Sequence, residues 1–319
     1  MRAKGQDLKV IFIGGSSRSG STLLDRILGQ IDGFFSLGEM HHIWERSFIE
    51  NQLCGCGKPF KECSFWQEVV KEAFGGFDKI DPNNVLRLRR RVQRVKYIPR
   101  LIYPALRPPE YRSKLSEYVG IWSRLYEAIH KTSGSNFLID SSKSPTHGFL
   151  LNAIPQIELY VIQLVRDSRA VAYSWQRKKR RPEIYWKEAY MPQLGILGSV
   201  REWILSNSLV RILGKVAPHY ALIRYEDFVA QPQLVLMRVF KQWDLKIPHL
   251  DALFLGKAIN LGVNHTVSGN PLRFKRGKIE IKLDEEWKRK MPVHKRAATT
   301  ALTWPLLLQY GYFKKRKNR

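Results

Sequence analysis

From Gly15 to Thr22 the chain reads Gly-Ser-Ser-Arg-Ser-Gly-Ser-Thr, the spacing G-x-x-x-x-G-x-[ST] of a phosphate-binding loop. Glycines at both ends let the backbone curl until successive N–H groups face one anion. Ser17, Arg18, Ser19, Gly20, Ser21 and Thr22 are the candidate contacts. A nucleoside triphosphatase carries lysine where Ser21 stands, to reach the outer phosphates. Here Arg18 is the one cation of the loop, which suits a shorter phosphate chain and needs no Mg²⁺. A second anion grip lies at Arg166, with Ser174 eight residues on, about two helical turns along. A guanidinium fork and a hydroxyl can hold one phosphate from two sides. Arg166 could instead pair with Asp140 or another carboxylate.

These residues need elements to aim them. Leu8–Ile13 is a short β-branched run ending in glycine, which predicts a buried parallel strand. A helix follows, with Leu23, Leu24, Ile27, Leu28 and Ile31 on one face. Further strands are expected at Phe34–Leu37, Asn136–Asp140, Glu158–Val165 and Tyr220–Arg224. Residues 40–50, 65–74, 83–97 and 111–132 read as helical, as do Pro232–Trp243 and Val293–Tyr310. Tyr97–Tyr111 holds four prolines and is expected to be extended or irregular. Residues 260–283 show little periodicity. Strands alternating with helices predict an α/β fold, a parallel sheet with helices on both faces. Ligands of such folds bind at the carboxyl ends of the strands, where each motif falls. The stretch 52–135 interrupts the alternation and reads as a helical insertion within one domain spanning 1–319.

The Lys-less loop, running on as Arg-Ser-Gly-Ser-Thr-Leu-Leu, resembles the 5′-phosphosulfate loop of the sulfotransferase superfamily. It looks most like the bacterial and Golgi-type branch that includes tyrosylprotein and carbohydrate sulfotransferases. The resemblance touches motifs from residue 10 to about 280 and covers the insertion only weakly. It implies a P-loop-containing, nucleotide-kinase-like sheet and the sulfuryl donor 3′-phosphoadenosine 5′-phosphosulfate (PAPS), with no metal required. PAPS carries a phosphosulfate at 5′ and a separate phosphate at 3′. One loop plus a remote Arg/Ser pair matches that layout better than the single polyphosphate cradle that ATP needs. The family's 3′-phosphate motif carries over to Arg166 and Ser174, with Lys178 as a further basic contact. A nucleotide-contacting tyrosine carries over to Tyr225. The stretch His265–Lys278 resembles the cofactor-covering loop, with Ser268, Gly269, Asn270 and Arg273 favoured.

Sulfuryl transfer is an in-line displacement that rests on positioning, charge stabilisation and a base for the acceptor hydroxyl. Glu39, in Leu37-Gly38-Glu39-Met40-His41-His42, follows a strand and matches the base of tyrosylprotein sulfotransferases. His41 and His42 are rival bases. Lys143, directly after the next strand, matches a lysine in the relatives that neutralises the leaving oxygen, and Arg18 shares that role. The insertion is expected to form the acceptor cleft, with Trp44, Trp66, Tyr97 and Trp122 near it. A carbohydrate or glycolipid hydroxyl is the favoured acceptor.

Cys54, Cys56 and Cys63 fall within ten residues. C-x-C plus one Cys supplies three zinc ligands, and only His41 or His42 offers a fourth by proximity, so a single disulfide or three free thiols is the expectation. The 319 residues carry 54 Lys and Arg against 28 acidic residues, a formal charge of +26. That excess implies an anionic partner. It is concentrated at Arg87–Arg100, Arg177–Arg181 and Lys314–Arg319. No nucleic-acid motif accompanies it, so nucleic acid is not expected as a partner. A basic nucleic-acid binder and a P-loop kinase remain the rival readings. Val10–Ile13 is too short for a signal-peptide core and no run of about 18 apolar residues occurs. A cytoplasmic protein is expected, its basic tail available to dock on an anionic membrane.

Overall fold

In the computed structural model, which describes residues 8–246 and 250–313, five apolar runs pair as one parallel sheet. The strands are β1 (Leu8–Gly14), β2 (Phe34–Gly38), β3 (Phe137–Lys143), β4 (Ile157–Val165) and β5 (His219–Arg224), in the order β2-β3-β1-β4-β5. β1 is central because both its faces are apolar: Val10, Ile11, Phe12 and Ile13 are all fully buried. β3 runs three residues further than its apolar pattern, through Ser141, Ser142 and Lys143. Lys143 therefore sits on the strand's carboxyl end rather than in a loop.

Alternate residues of the sheet build two cores. On one face Val10, Phe12, Leu138, Leu159 and Val161 meet the segment that follows β2. That segment holds a 3₁₀ turn at Met40–His42, a π-helix at Ile43–Ile49, α2 (Ser64–Phe74), α3 (Pro82–Val92), α4 (Ile98–Ile102) and α5 (Pro109–Ser133). The proline-rich stretch expected to be irregular thus contains α4. Pro99 occupies its first turn, where a missing N–H costs nothing. Trp44, Trp66 and Trp122 are fully buried in this core. The stretch 52–135 shares one core with this face of the sheet, and the three tryptophans lie in that core.

The opposite face, with Ile11, Ile13, Ile139, Ile162 and Leu164, is covered from elsewhere in the chain. α1 (Ser21–Leu28) leads that layer, and α6 (Pro145–Asn152) follows β3 on the other side. α7 (Ser168–Gln176) and α8 (Ile196–Val216) separate β4 from β5, and α9 (Tyr225–Ala230) and α10 (Pro232–Gln242) follow it. Beyond them the chain forms a small antiparallel sheet of β6 (Phe254–Leu255), β7 (Ala258–Leu261) and β8 (Gly277–Glu280). Strands of two to four residues carry too few alternations to show a period, so this region read as aperiodic. α11 (Glu286–Lys290) and α12 (Val293–Gln309) close the fold. Among the described residues no helix is long and apolar enough to cross a membrane. The basic tail Lys314–Arg319 lies outside the described residues.

Candidate active site

β1 delivers Gly14 to the sheet's carboxyl edge, and the loop turns there into α1. Gly20 caps α1 in the left-handed region at φ 94°. A Cβ there would stand 2.5 Å from the Tyr225 ring. The close approach lets the loop and the start of α9 share one wall. Arg18 is also left-handed (φ 67°), as are Lys143 (φ 62°) and Ser268 (φ 53°). Asn51 and Asp244 are the other non-glycine residues so placed among the described residues. Such backbones persist only where their surroundings over-determine them, and they gather at functional sites.

One cavity of about 460 Å³ opens above the loop. Ser17, Arg18, Gly20, Ser21 and Thr22 line it, together with Glu39, Lys143, Arg166, Ser174, Tyr225, Gly269 and Asn270. Twelve sequence-derived candidates therefore converge from six separate segments. The remaining four lie elsewhere. Ser19 and Ser268 are buried beside the wall, each with a hydroxyl that has no partner. Arg273 is buried and donates to the carbonyls of Thr266 and Leu53 (2.6 Å to the latter), so it braces the covering loop from behind. Lys178 is exposed and sits 3.9 Å over the Tyr190 ring, while Lys179 lines the cavity. Burial pushes the Lys179 ammonium pKa down, and Arg18 and Arg177 add to the effect.

Arg166 follows the last residue of β4. Its Nη1 donates to the Arg18 carbonyl at 3.1 Å, and its guanidinium lies 4.6 Å over the Tyr225 ring. Nη2 donates to the Asp284 carbonyl at 3.1 Å and lies 3.3 Å from the Asp284 carboxylate. Nε is buried without a partner. The carboxylate on Arg166 is thus Asp284, and Asp140 is elsewhere, buried with His147 at 2.9 Å. The loop shows the same feature: the Ser17 N–H donates to Glu202 at 2.9 Å. Arg18 reaches outward, 4.9 Å over Trp175 and 3.0 Å from the Met191 sulfur.

Glu39 follows β2 at a tight junction. Gly38 (φ 78°) leaves room for the Val267 carbonyl, which a Cβ would meet at 2.4 Å. Glu39 N–H then donates to that carbonyl at 2.8 Å, and Val267 N–H to Leu37 at 2.8 Å. The Glu39 side chain, 13% exposed, accepts from Lys143 Nζ and has His42 and Arg46 each 3.9 Å away. Burial alone would raise its pKa. The charges of Lys143, His42 and Arg46 outweigh burial and hold it at about 2. Of the two rival bases, His42 lines the cavity and His41 does not. Burial lowers the pKa of both, His41 well below the usual imidazole value.

Arg46, Lys179, Arg181, Glu183 and Asp284 also line the cavity, and the sequence motifs do not single them out. The basic run Arg177–Arg181 was the available signal for two of them. No residue of 52–135 lines the cavity; the outer wall comes from residues 179–192 and 269–284. The cysteines lie behind this wall. Cys56 and Cys63 sulfurs are 3.7 Å apart and unbonded, and the histidine beside them is His265 rather than His41 or His42.

A model of the sulfotransferase family matches residues 10–249. Among solved structures, the sulfotransferase domain from the curacin biosynthetic pathway superposes with a TM-score of 0.51 at 18% identity, covering 94% of this chain and 97% of that one. The sulfotransferase domain of the Synechococcus PCC 7002 olefin synthase gives 0.50 at 18% identity, over 96% and 97%. At these identities the likeness is one of fold. No curated protein matches the chain.

Proposed function

The chain belongs to the sulfotransferase family, and on that premise we propose that it transfers a sulfuryl group from PAPS to a carbohydrate or glycolipid hydroxyl. The observation that carries this reading is the single cavity on which a Lys-less phosphate loop, a separate Arg166/Ser174 grip and a Glu39/Lys143 pair converge. A kinase would need a lysine in place of Ser21. The wall suits a doubly anionic nucleotide: Arg166 keeps an unpartnered Nε, and the loop residues Ser17, Ser21 and Thr22 line the same space.

In this reading Ser17–Thr22 hold the 5′-phosphosulfate, Arg166 and Ser174 the 3′-phosphate, and Tyr225 the nucleoside. Gly269 and Asn270 cover it. Lys179 takes the role expected of Lys178. PAPS supplies an activated sulfuryl group. Lys143 balances charge gathering on the leaving oxygen, with Arg18 beside it. Glu39 takes the proton of the acceptor hydroxyl.

The Glu39–Lys143 pair explains how a carboxylate of such low pKa can serve as a base. While Lys143 faces it, Glu39 is a weak proton acceptor. An anion seated on the loop competes for the ammonium. The Glu39 pKa then rises toward the ordinary carboxylate value of about 4.3 as its main counter-charge is shared. Base strength is thus linked to donor binding. On the acceptor side, His42, Arg46, Arg181 and Glu183 line the cavity with hydrogen-bonding groups. Several such groups on one wall suit a polyhydroxyl acceptor.

Calorimetry with adenosine 3′,5′-bisphosphate in metal-free buffer tests the donor half. Micromolar binding is expected, and none would overturn it. Comparing sulfated glycans and lipids by mass spectrometry from cells with and without the gene tests the acceptor half. Loss of a sulfated sugar is expected; loss of a sulfated protein or small molecule instead would overturn that part.

A further inference from the structure

We propose that Cys54, Cys56, Cys63 and His265 bind one structural zinc ion, which staples the covering loop to the chain that follows Glu39. The three thiols come from one turn. The imidazole arrives from a residue 202 positions beyond Cys63. The three sulfurs and one histidine nitrogen all lie within 4.8 Å of one another. Cys56 and Cys63 sulfurs are 3.7 Å apart. His265 Nδ1 is 3.2 Å from the Cys63 sulfur and 3.9 Å from the Cys54 sulfur. Tetrahedral zinc, with Zn–S about 2.3 Å and Zn–N about 2.0–2.1 Å, sets ligand edges of about 3.8 Å for S–S and about 3.5 Å for S–N. A disulfide needs about 2.05 Å. The spacing is that of a cage around an ion.

The local backbone supports thiolates. Cys54-Gly-Cys56-Gly closes a knuckle in which Gly57 N–H donates to the Cys54 carbonyl at 2.8 Å and Cys54 N–H to the Lys58 carbonyl at 2.8 Å. His265 is fixed by stacking on Phe65 (5.1 Å) and by Trp66 Nε1, which donates to its carbonyl at 2.8 Å. Its Nδ1 thereby faces the sulfurs. Three thiols and one imidazole at tetrahedral spacing favour zinc over hard cations. On binding, the three thiols release their protons to solvent and His265 binds as neutral imidazole through Nδ1.

Four protein ligands leave no open position, and none of the four lines the catalytic cavity, so the ion is structural. Its place gives it a purpose. Two residues beyond His265, Val267 forms the junction with Gly38 and Glu39, and Gly269 and Asn270 follow on the cavity wall. Gly55 N–H donates to Thr266 at 3.0 Å, and Arg276 donates to the Cys56 carbonyl at 2.7 Å. The staple holds the covering loop against the segment that carries Glu39.

The test is elemental analysis of the full chain, purified without chelator from zinc-supplemented cells. One zinc per chain is expected, released in step with three thiols on titration with an organomercurial. The Cys56→Ser/Cys63→Ser double variant should retain less than a tenth of that zinc. Because such a variant can fail to fold, cobalt exchange of the unaltered chain gives a second reading, with thiolate-to-cobalt charge-transfer bands expected. A folded chain without zinc, a Cys56–Cys63 disulfide in non-reducing peptide maps, or zinc retained in full by the double variant would each overturn the site. Metal content is independent of turnover, so this result stands apart from the proposed activity.

Discussion

The two walls of the cavity are made differently. The loop Gly15–Thr22 is framed by the strand before it and the helix after it, all within Leu8–Leu28, and Arg166, Glu202 and Tyr225 brace it from outside. The covering wall, residues 264–284, has strands of at most four residues and little core of its own. It is held by distant partners: Gly38 and Glu39 at Val267, Leu53 at Arg273, the cysteine turn at His265, and Arg166 at Asp284. A wall framed mainly by its own strand and helix takes most of its shape from its own sequence. A wall made by others can be loosened from far away.

Glu39 stands where the two walls meet, so its chemistry separates from their architecture. Glu39→Gln keeps the shape and the Val267 junction but removes the proton acceptor. A loss of about 10²–10⁴-fold in kcat is expected, with adenosine bisphosphate affinity changed little. A variant that keeps turnover would move the base to His42.

The two junction glycines sharpen the comparison. Gly20→Ala and Gly38→Ala both force a side chain into the left-handed region, at φ 94° and φ 78°. That strain costs about 1–3 kcal/mol in either place. The first would drive Cβ into Tyr225 and the second into the Val267 carbonyl. Gly20→Ala is expected to weaken adenosine bisphosphate binding about 5- to 150-fold by calorimetry, because the cradle itself must move. Gly38→Ala is expected to lower kcat and raise hydrogen exchange across 264–273, with a smaller effect on nucleotide binding. Equal effects on binding would erase the distinction between the walls.

What could be read in the sequence divides along the same line. β1, the loop, Arg166 and Ser174 are legible because each depends on a strand end and the helix that follows. Lys178 shows where this logic stops. The family motif puts a basic contact here, four residues beyond Ser174, but α7 ends at Gln176 and Arg177 is extended. In extended chain successive side chains alternate, so Lys178 turns outward and Lys179 inward. Proximity in sequence offers the cysteines only His41 or His42 as a fourth partner, because nothing local points to a residue some two hundred positions away. Residue type alone puts Trp44, Trp66 and Trp122 near the acceptor. Aromatic residues of a helical layer belong more often to its core, and these three are fully buried there.

The pH dependence probes the point where donor binding is coupled to the base. In the folded free protein Glu39 lies at about 2, below the ordinary value of about 4.3. The stability it contributes is therefore full above that ordinary value and is lost as pH falls through about 2. For activity, kcat/KM reports the free enzyme and kcat the complex. If the seated donor draws Lys143 away, the acid limb of kcat lies at higher pH than the acid limb of kcat/KM. Coincident limbs would mean that Lys143 stays on Glu39 throughout.

The smallest expected effect concerns Asp284, by which the covering wall reaches the cradle's partner. Its carboxylate lies 3.3 Å from Arg166 and 3.4 Å from Arg177 and is 36% exposed. An incoming 3′-phosphate must compete with it for Arg166. Arg166 is buried but Asp284 is part-exposed and shared with Arg177, so its hold on Arg166 is worth about 1 kcal/mol, and Asp284→Asn should tighten adenosine bisphosphate binding by at most about fivefold. The backbone carbonyl of Asp284 still accepts from Arg166 in the variant, so the wall keeps its place. The gain should shrink as salt rises, because the competing charge is screened. Weaker binding in Asp284→Asn would give the carboxylate the opposite role, as the group that aims Arg166 at the phosphate. The covering wall would then be part of the grip and not merely its lid.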